Sequence, residues 1–262
     1  MLSYERYCAE IGSQSARLAA DIAGEDLTAP VPSCPGWNVA QAVRHLGGGQ
    51  RWAANLVSTR ADTPPDDENF RDLAPYAKDP AAELAPWLIE SAELLASALD
   101  ASGPDAALWT PFPEQTGGKA FFFARRFAHE TVIHRADATL ALGKPFELDP
   151  EVAADGIDEW MELGSLPFHF EVHPQMRELL GPDRTIHLHA TDTDHDLQAE
   201  WVLDLTGDVI TWRRAHEKSA VAVRGPVTDL LLMVYRRRAP EGLEVFGDAA
   251  LVEFWLDRVA FG

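Results

Sequence analysis

Cysteine is nearly absent: Cys8 and Cys34 are the only two in 262 residues, which excludes the disulfide framework of a small secreted domain. Lysine is also scarce, with Lys78, Lys119, Lys144 and Lys218 the whole complement. Positive charge is the minority sign, with 22 basic against 42 acidic residues and a formal net charge of −20. A nucleic-acid backbone or an anionic membrane surface would repel such a chain. Long apolar runs are missing too. The richest, Val227 to Tyr235, contains Asp229 and stops at Arg236, well short of the roughly 18 residues that cross a bilayer. The opening MLSYERYCAEIG carries Glu5 and Glu10 where a secretory signal needs an apolar stretch. The expected address is the cytoplasm, with neither nucleic acid nor membrane as partner.

What is present is ample core material, 46% hydrophobic over 262 residues, enough for two modest domains. Basic residues are mostly arginine and alanine is abundant, a usage that suits a GC-rich genome. Helical spacing of apolar residues predicts one helix over 3–24, a second from Val39 after an Asn38 N-cap, a third over 80–101 and a fourth from Lys119 to Leu142. The turn-rich TAPVPSCPGW, 28–37, leads into the second helix, whose Gly47, Gly48 and Gly49 cost helix propensity but admit a close neighbour. Beyond Pro167 the pattern shortens to strands: RTIHLHATD, then AEWVLDL and VITWRR around Thr206-Gly207-Asp208, then AVAVRG. Pro226 opens a helix, VTDLLLMVYRRR. The reading is α+β, a helical bundle over 1–165 followed by a small α+β domain over 166–262.

On the fourth helix, Glu130 and His134 are one turn apart and share a face. Taken alone such a pair is more often solvated, so the spacing permits chelation without requiring it. A bundle can bring His45 of the second helix alongside, and two imidazoles with one carboxylate would leave an open coordination position, as in catalytic centres. His129 points about 100° away from Glu130, which makes it a poor co-ligand, and is read as packing or as a residue supporting the ligands from behind. Asp137 either accepts the second N–H of His134 or is an ordinary solvated or arginine-paired aspartate. Cys34 reads as a small buried thiol. His187 and His189 share a strand face, with no third ligand evident, and are read as its polar side. Arg236, Arg237 and Arg238 follow the apolar helix, where cations suit its C-terminal dipole.

Two stretches carry a family resemblance. Pro32-Ser33-Cys34-Pro35-Gly36-Trp37 with Arg44-His45-Leu46-Gly47, and His129-Glu130 with His134-Arg135 and Asp137, resemble the signatures of the mycothiol-dependent maleylpyruvate isomerase family, which belongs to the DinB-like four-helix bundles. VAVRGPVTDLLLMVYRRR and LEVFGDAALVEFWL resemble the small α+β domain that accompanies the bundle. The resemblance implies a divalent metal, usually zinc, on His45, Glu130 and His134, and mycothiol, an actinobacterial low-molecular-weight thiol, as cosubstrate. A metal-bound thiol is deprotonated near neutral pH and attacks an electrophilic small molecule. Addition and elimination across a cis double bond is isomerisation; a stable adduct is thiol transfer. An arginine of the second domain, Arg237, is the expected clamp for a substrate carboxylate. The competing readings are a metal-containing binding or regulatory module without turnover, and hydrolysis by metal-bound water. Oligomeric state is left open, a monomer being compatible.

Overall fold

The computed structural model describes residues 1–66 and 68–259. Its first unit, residues 2–146, is built on four long helices: α1 (Tyr4–Asp21), α2 (Val39–Thr59), α3 (Ala81–Ser102) and α4 (Ala120–Ala141). The starts follow local chemistry. Ser3 caps α1 by accepting from the Arg6 N–H, and Asn38 with Gln41 forms a reciprocal capping box on α2. α1 and α2 each pack against both α3 and α4. Tyr7, Ile11, Leu56, Leu95 and Leu99 fill one end of this core, and Leu18, Val43, Leu46, Leu84 and Leu88 the other. Truncating any one of these leucines to alanine would cost roughly 2–5 kcal/mol.

α4 is the central element, buried on nearly every side from Phe123 to Thr139. Its polar residues therefore need partners inside the unit. Thr131 meets Gln50 of α2 at 3.1 Å, and Gln50 also donates to Ser15 of α1 at 3.0 Å. His129 packs edge-on against Tyr7 with ring centroids 6.0 Å apart.

Two connections shape the surroundings of α4. The proline-rich segment before α2 folds back on itself, the Val31 N–H donating to the Trp37 carbonyl at 2.9 Å and the Val39 N–H to that of Ala29 at 3.0 Å. A one-turn helix, Glu68–Arg71, lies on α2 at its glycines. A Cβ on Gly48 would stand 2.5 Å from the Phe70 Cβ, and one on Gly47 would run into the Trp87 ring. The glycines that weaken α2 are thus the condition for that close approach.

The second unit runs from Glu147, so that α5 (Pro150–Gly164) belongs to it and not, as expected from sequence, to a first domain reaching 165. The reason is the partner its apolar stripe finds: Trp160 packs on Trp255 with centroids 5.3 Å apart. The sheet comprises β1 (Thr185–Ala190), β2 (Glu200–Asp204), β3 (Thr211–Arg214), β4 (Val221–Gly225) and β5 (Glu244–Gly247), in the order β3-β2-β1-β4-β5. β1 and β4 run parallel and the other pairs antiparallel. α6 (Val227–Val234) follows β4 and packs on α5; α7 (Ala249–Leu256) follows β5. α6 ends before the arginines, because Arg236 turns into the left-handed region at φ 59° and the Arg237 N–H returns to the Leu232 carbonyl at 2.7 Å. Among the described residues no helix is long and apolar enough to cross a membrane.

Candidate metal centre

His45, Glu130 and His134 come together on the wall of one cavity in the helical unit. The spacing of α4 stacks Glu130 beneath His134, with Oε2 3.3 Å from Nε2, and α2 brings the His45 ring to 4.9 Å from that of His134, edge to face. Both imidazoles are anchored at Nδ1. His45 Nδ1 is 2.8 Å from the Phe70 carbonyl oxygen, and His134 Nδ1 is 2.9 Å from Asp137 Oδ2. A carbonyl only accepts, as does an ionised carboxylate, so each Nδ1 donates its proton and the opposite nitrogen, Nε2, is the one left to coordinate. Asp137 is itself tied down, accepting from Ser33 Oγ at 2.5 Å and Cys34 Sγ at 3.4 Å. The proline-rich turn therefore orients the carboxylate that orients His134.

Charge in the site is distributed unevenly. Burial, followed by the neighbouring His134, pushes the His45 pKa down to about 4, so this ring is neutral at pH 7. Burial also opposes charge on His134, but hydrogen bonds to Asp137 and Glu130, reinforced by their charges, raise its pKa to about 9. For Glu130, burial would raise the pKa; Arg126 and His134 outweigh it and hold the carboxyl well below its ordinary value. Arg126 Nε donates to Glu130 Oε1 at 3.0 Å, leaving Oε2 as the oxygen facing His134. Two imidazole nitrogens and one carboxylate oxygen, each fixed from behind, make a donor set that fits a divalent transition metal with room for further ligands.

The cavity has a volume of about 560 Å³. Its wall is aromatic, with Trp52, Phe70, Trp109, Phe123 and Phe127, and its cations are Arg71 and Arg126. A different grouping, Cys34, His134 and Asp137, brings its potential donor atoms within 4.8 Å of one another, a closeness the structure does not give the set of His45, Glu130 and His134. It would use the Nδ1 side of His134, where the hydrogen bonds to Asp137 already lie, and neither Cys34 nor Asp137 lines the cavity. The open side of His134 is the Nε2 side. Arg126 was overlooked at the level of sequence, although it stands one turn before Glu130. Arg237 belongs to the C-terminal unit, where it follows α6 and donates from its guanidinium to the Tyr235 carbonyl at 2.8 Å.

Residues 8–139 match the family model described as mycothiol maleylpyruvate isomerase N-terminal domain, and residues 151–254 match the one for the C-terminal domain of the same proteins. Two crystal structures of a mycothiol-dependent maleylpyruvate isomerase share the fold. One, a histidine-to-alanine variant, superimposes with a TM-score of 0.61 at 14% identity, and the other with 0.60 at 13%, each covering 93% of both chains. Among curated proteins none matches the chain in sequence.

Proposed function

This chain belongs to the mycothiol maleylpyruvate isomerase family, and we propose that it activates mycothiol at a divalent metal held by His45, Glu130 and His134, for attack on an electrophilic small molecule. The observation that carries this reading is the pair of histidines anchored at Nδ1, with both rings and Glu130 on the wall of one cavity. A metal bound there, with zinc the natural choice for imidazole and carboxylate, would lower the pKa of a thiol sulfur to near neutrality.

The residues of the chain do the rest. Phe70 and Asp137 hold the ligating nitrogens in place, and Arg126 holds Glu130 by Oε1. The aromatic wall removes water from around the thiolate and the electrophile, which strengthens every charge interaction inside. Arg126 and Arg71 supply positive charge for a substrate carboxylate, and a planar guanidinium matches such a group in a bidentate fork. The carboxylate clamp is assigned to Arg126, because it lines the cavity. If the electrophile is an activated cis double bond, addition of the sulfur, rotation and elimination give the trans isomer and return the thiol. If the adduct is stable, the reaction is thiol transfer. A thiol cosubstrate that must remain reduced fits a cytoplasmic enzyme.

The test is turnover of maleylpyruvate and a panel of other electrophiles by metal-loaded wild type and His134→Ala, with and without mycothiol. Thiol-dependent turnover confined to the wild type supports the proposal. Bound metal with no turnover of any electrophile would instead favour a binding module, and turnover without thiol would favour hydrolysis.

A further inference from the structure

A second cluster of metal-binding chemistry stands in the C-terminal unit, outside the stretches that carry the family resemblance. His187 and His189 project from one face of β1, and the register of the sheet places Glu200 of β2 directly opposite His189. The Ala215 N–H continues the β2–β3 ladder by donating to the Glu200 carbonyl at 3.2 Å, which brings the next residue, His216, over the same carboxylate. A single oxygen, Glu200 Oε2, then lies 2.8 Å from His187 Nε2, 2.8 Å from His189 Nδ1 and 2.6 Å from His216 Nδ1. The rings stand 69–88° to one another with centroids 5.5–5.8 Å apart, a tripod about one point.

Hydrogen bonding alone explains this poorly. A carboxylate oxygen has two lone pairs, so three imidazole N–H groups would crowd one acceptor. A cation at the centre would instead use three nitrogen lone pairs and the oxygen. The geometry points to a second divalent transition-metal site, with His187, His189, His216 and Glu200 as its ligands. The four donor atoms already lie within 4.8 Å of one another; tetrahedral bonds of about 2.0–2.1 Å require a spacing of about 3.4 Å, reached when Glu200 Oε2 backs out of its 2.6–2.8 Å contacts to make room for the ion. Three nitrogens and one oxygen select a zinc-class ion over magnesium or calcium, which take oxygen ligands. A cavity of about 690 Å³, with Glu217, Lys218 and Arg224 in its wall, adjoins the cluster and gives the ion an open flank. Bound there, the metal fastens the 215–219 segment to the sheet.

The experiment uses the full chain, stripped with a chelator, equilibrated with Zn²⁺ alone and freed of excess, with metal per chain counted by elemental analysis. His216 is 76% exposed at its side chain, so His216→Ala leaves the fold intact, and His189→Ala serves as a second variant. Each is expected to carry one equivalent fewer than wild type. The same loss is expected in a His134→Ala background, which separates this site from the one in the helical unit. The rise in Tm on adding Zn²⁺ should persist in His134→Ala and fall away when His216→Ala is added. A metal count that both His216→Ala and His189→Ala leave unchanged overturns the assignment.

Discussion

Phe70 packs onto Gly48 so closely that a Cβ on the glycine would stand 2.5 Å from the Cβ of Phe70, and the carbonyl of that same Phe70 holds His45 Nδ1 at 2.8 Å. A residue with no side chain thereby sets the orientation of an imidazole three positions earlier in the same helix. Gly48→Ala should raise helix propensity yet displace Phe70 and release His45. Zinc affinity, measured by chelator competition, is expected to fall by about 10–100-fold, as when the hydrogen-bond partner of a ligating histidine is lost.

Asp137 answers for three groups at once: His134, Ser33 and Cys34. Asp137→Ala leaves buried donors without an acceptor, an effect of about 1–3 kcal/mol in stability, readable in chemical denaturation of the metal-free protein. Asp137→Asn keeps the volume but removes the charge, so the His134 pKa should fall toward its ordinary value, as followed by NMR titration.

The pH dependence of metal uptake follows from His134. Its pKa of about 9 means the metal-free site is protonated at neutral pH, and binding must expel that proton. Apparent zinc affinity should rise about tenfold per pH unit up to about pH 9 and then level off. His45, held down at about 4, adds no slope in this range. In the metal-free protein the sign is reversed: a raised pKa stabilises the fold below the unfolded value of 6.5, and this contribution is lost as pH rises through 9. In the His216→Ala background, calorimetry in buffers of different ionisation enthalpy should find one proton released per metal at pH 7.

Arg126 holds Glu130 and faces the cavity. Arg126→Lys keeps a charge but loses the planar fork. KM for a carboxylate-bearing electrophile should rise by roughly tenfold or more, since a charge-assisted hydrogen bond contributes about 1.5–3 kcal/mol. An electrophile without a carboxylate should be affected much less. Equal losses with both substrates would show that Arg126 acts only through Glu130.

The helical unit and its candidate ligands were legible because their signals are local. Glu130 and His134 are one turn apart, Asn38 and Gly143 punctuate helices, and the Cys34 turn and His45 carry the family's pattern. The Phe70 carbonyl was not legible, since a backbone acceptor 25 residues away in a polar loop has no side-chain signature. The domain boundary was missed because α5 is amphipathic like the helices before it, and tertiary contacts such as Trp160 on Trp255 and α5 on α6 reveal which core it joins. His187 and His189 looked like a polar strand face. Glu200 reaches them through strand register, and His216 through the exit from β3, neither of which spacing alone encodes.

The central claim, a thiol sulfur activated at a metal on His45, Glu130 and His134, is tested most directly by optical titration of the Co²⁺-loaded protein with mycothiol. It is best done in the His216→Ala background, so that the helical unit alone is loaded. The account predicts a sulfur-to-metal charge-transfer band that saturates with thiol at one per chain and vanishes in His134→Ala. No band in the loaded protein, or the same band in His134→Ala, would contradict it.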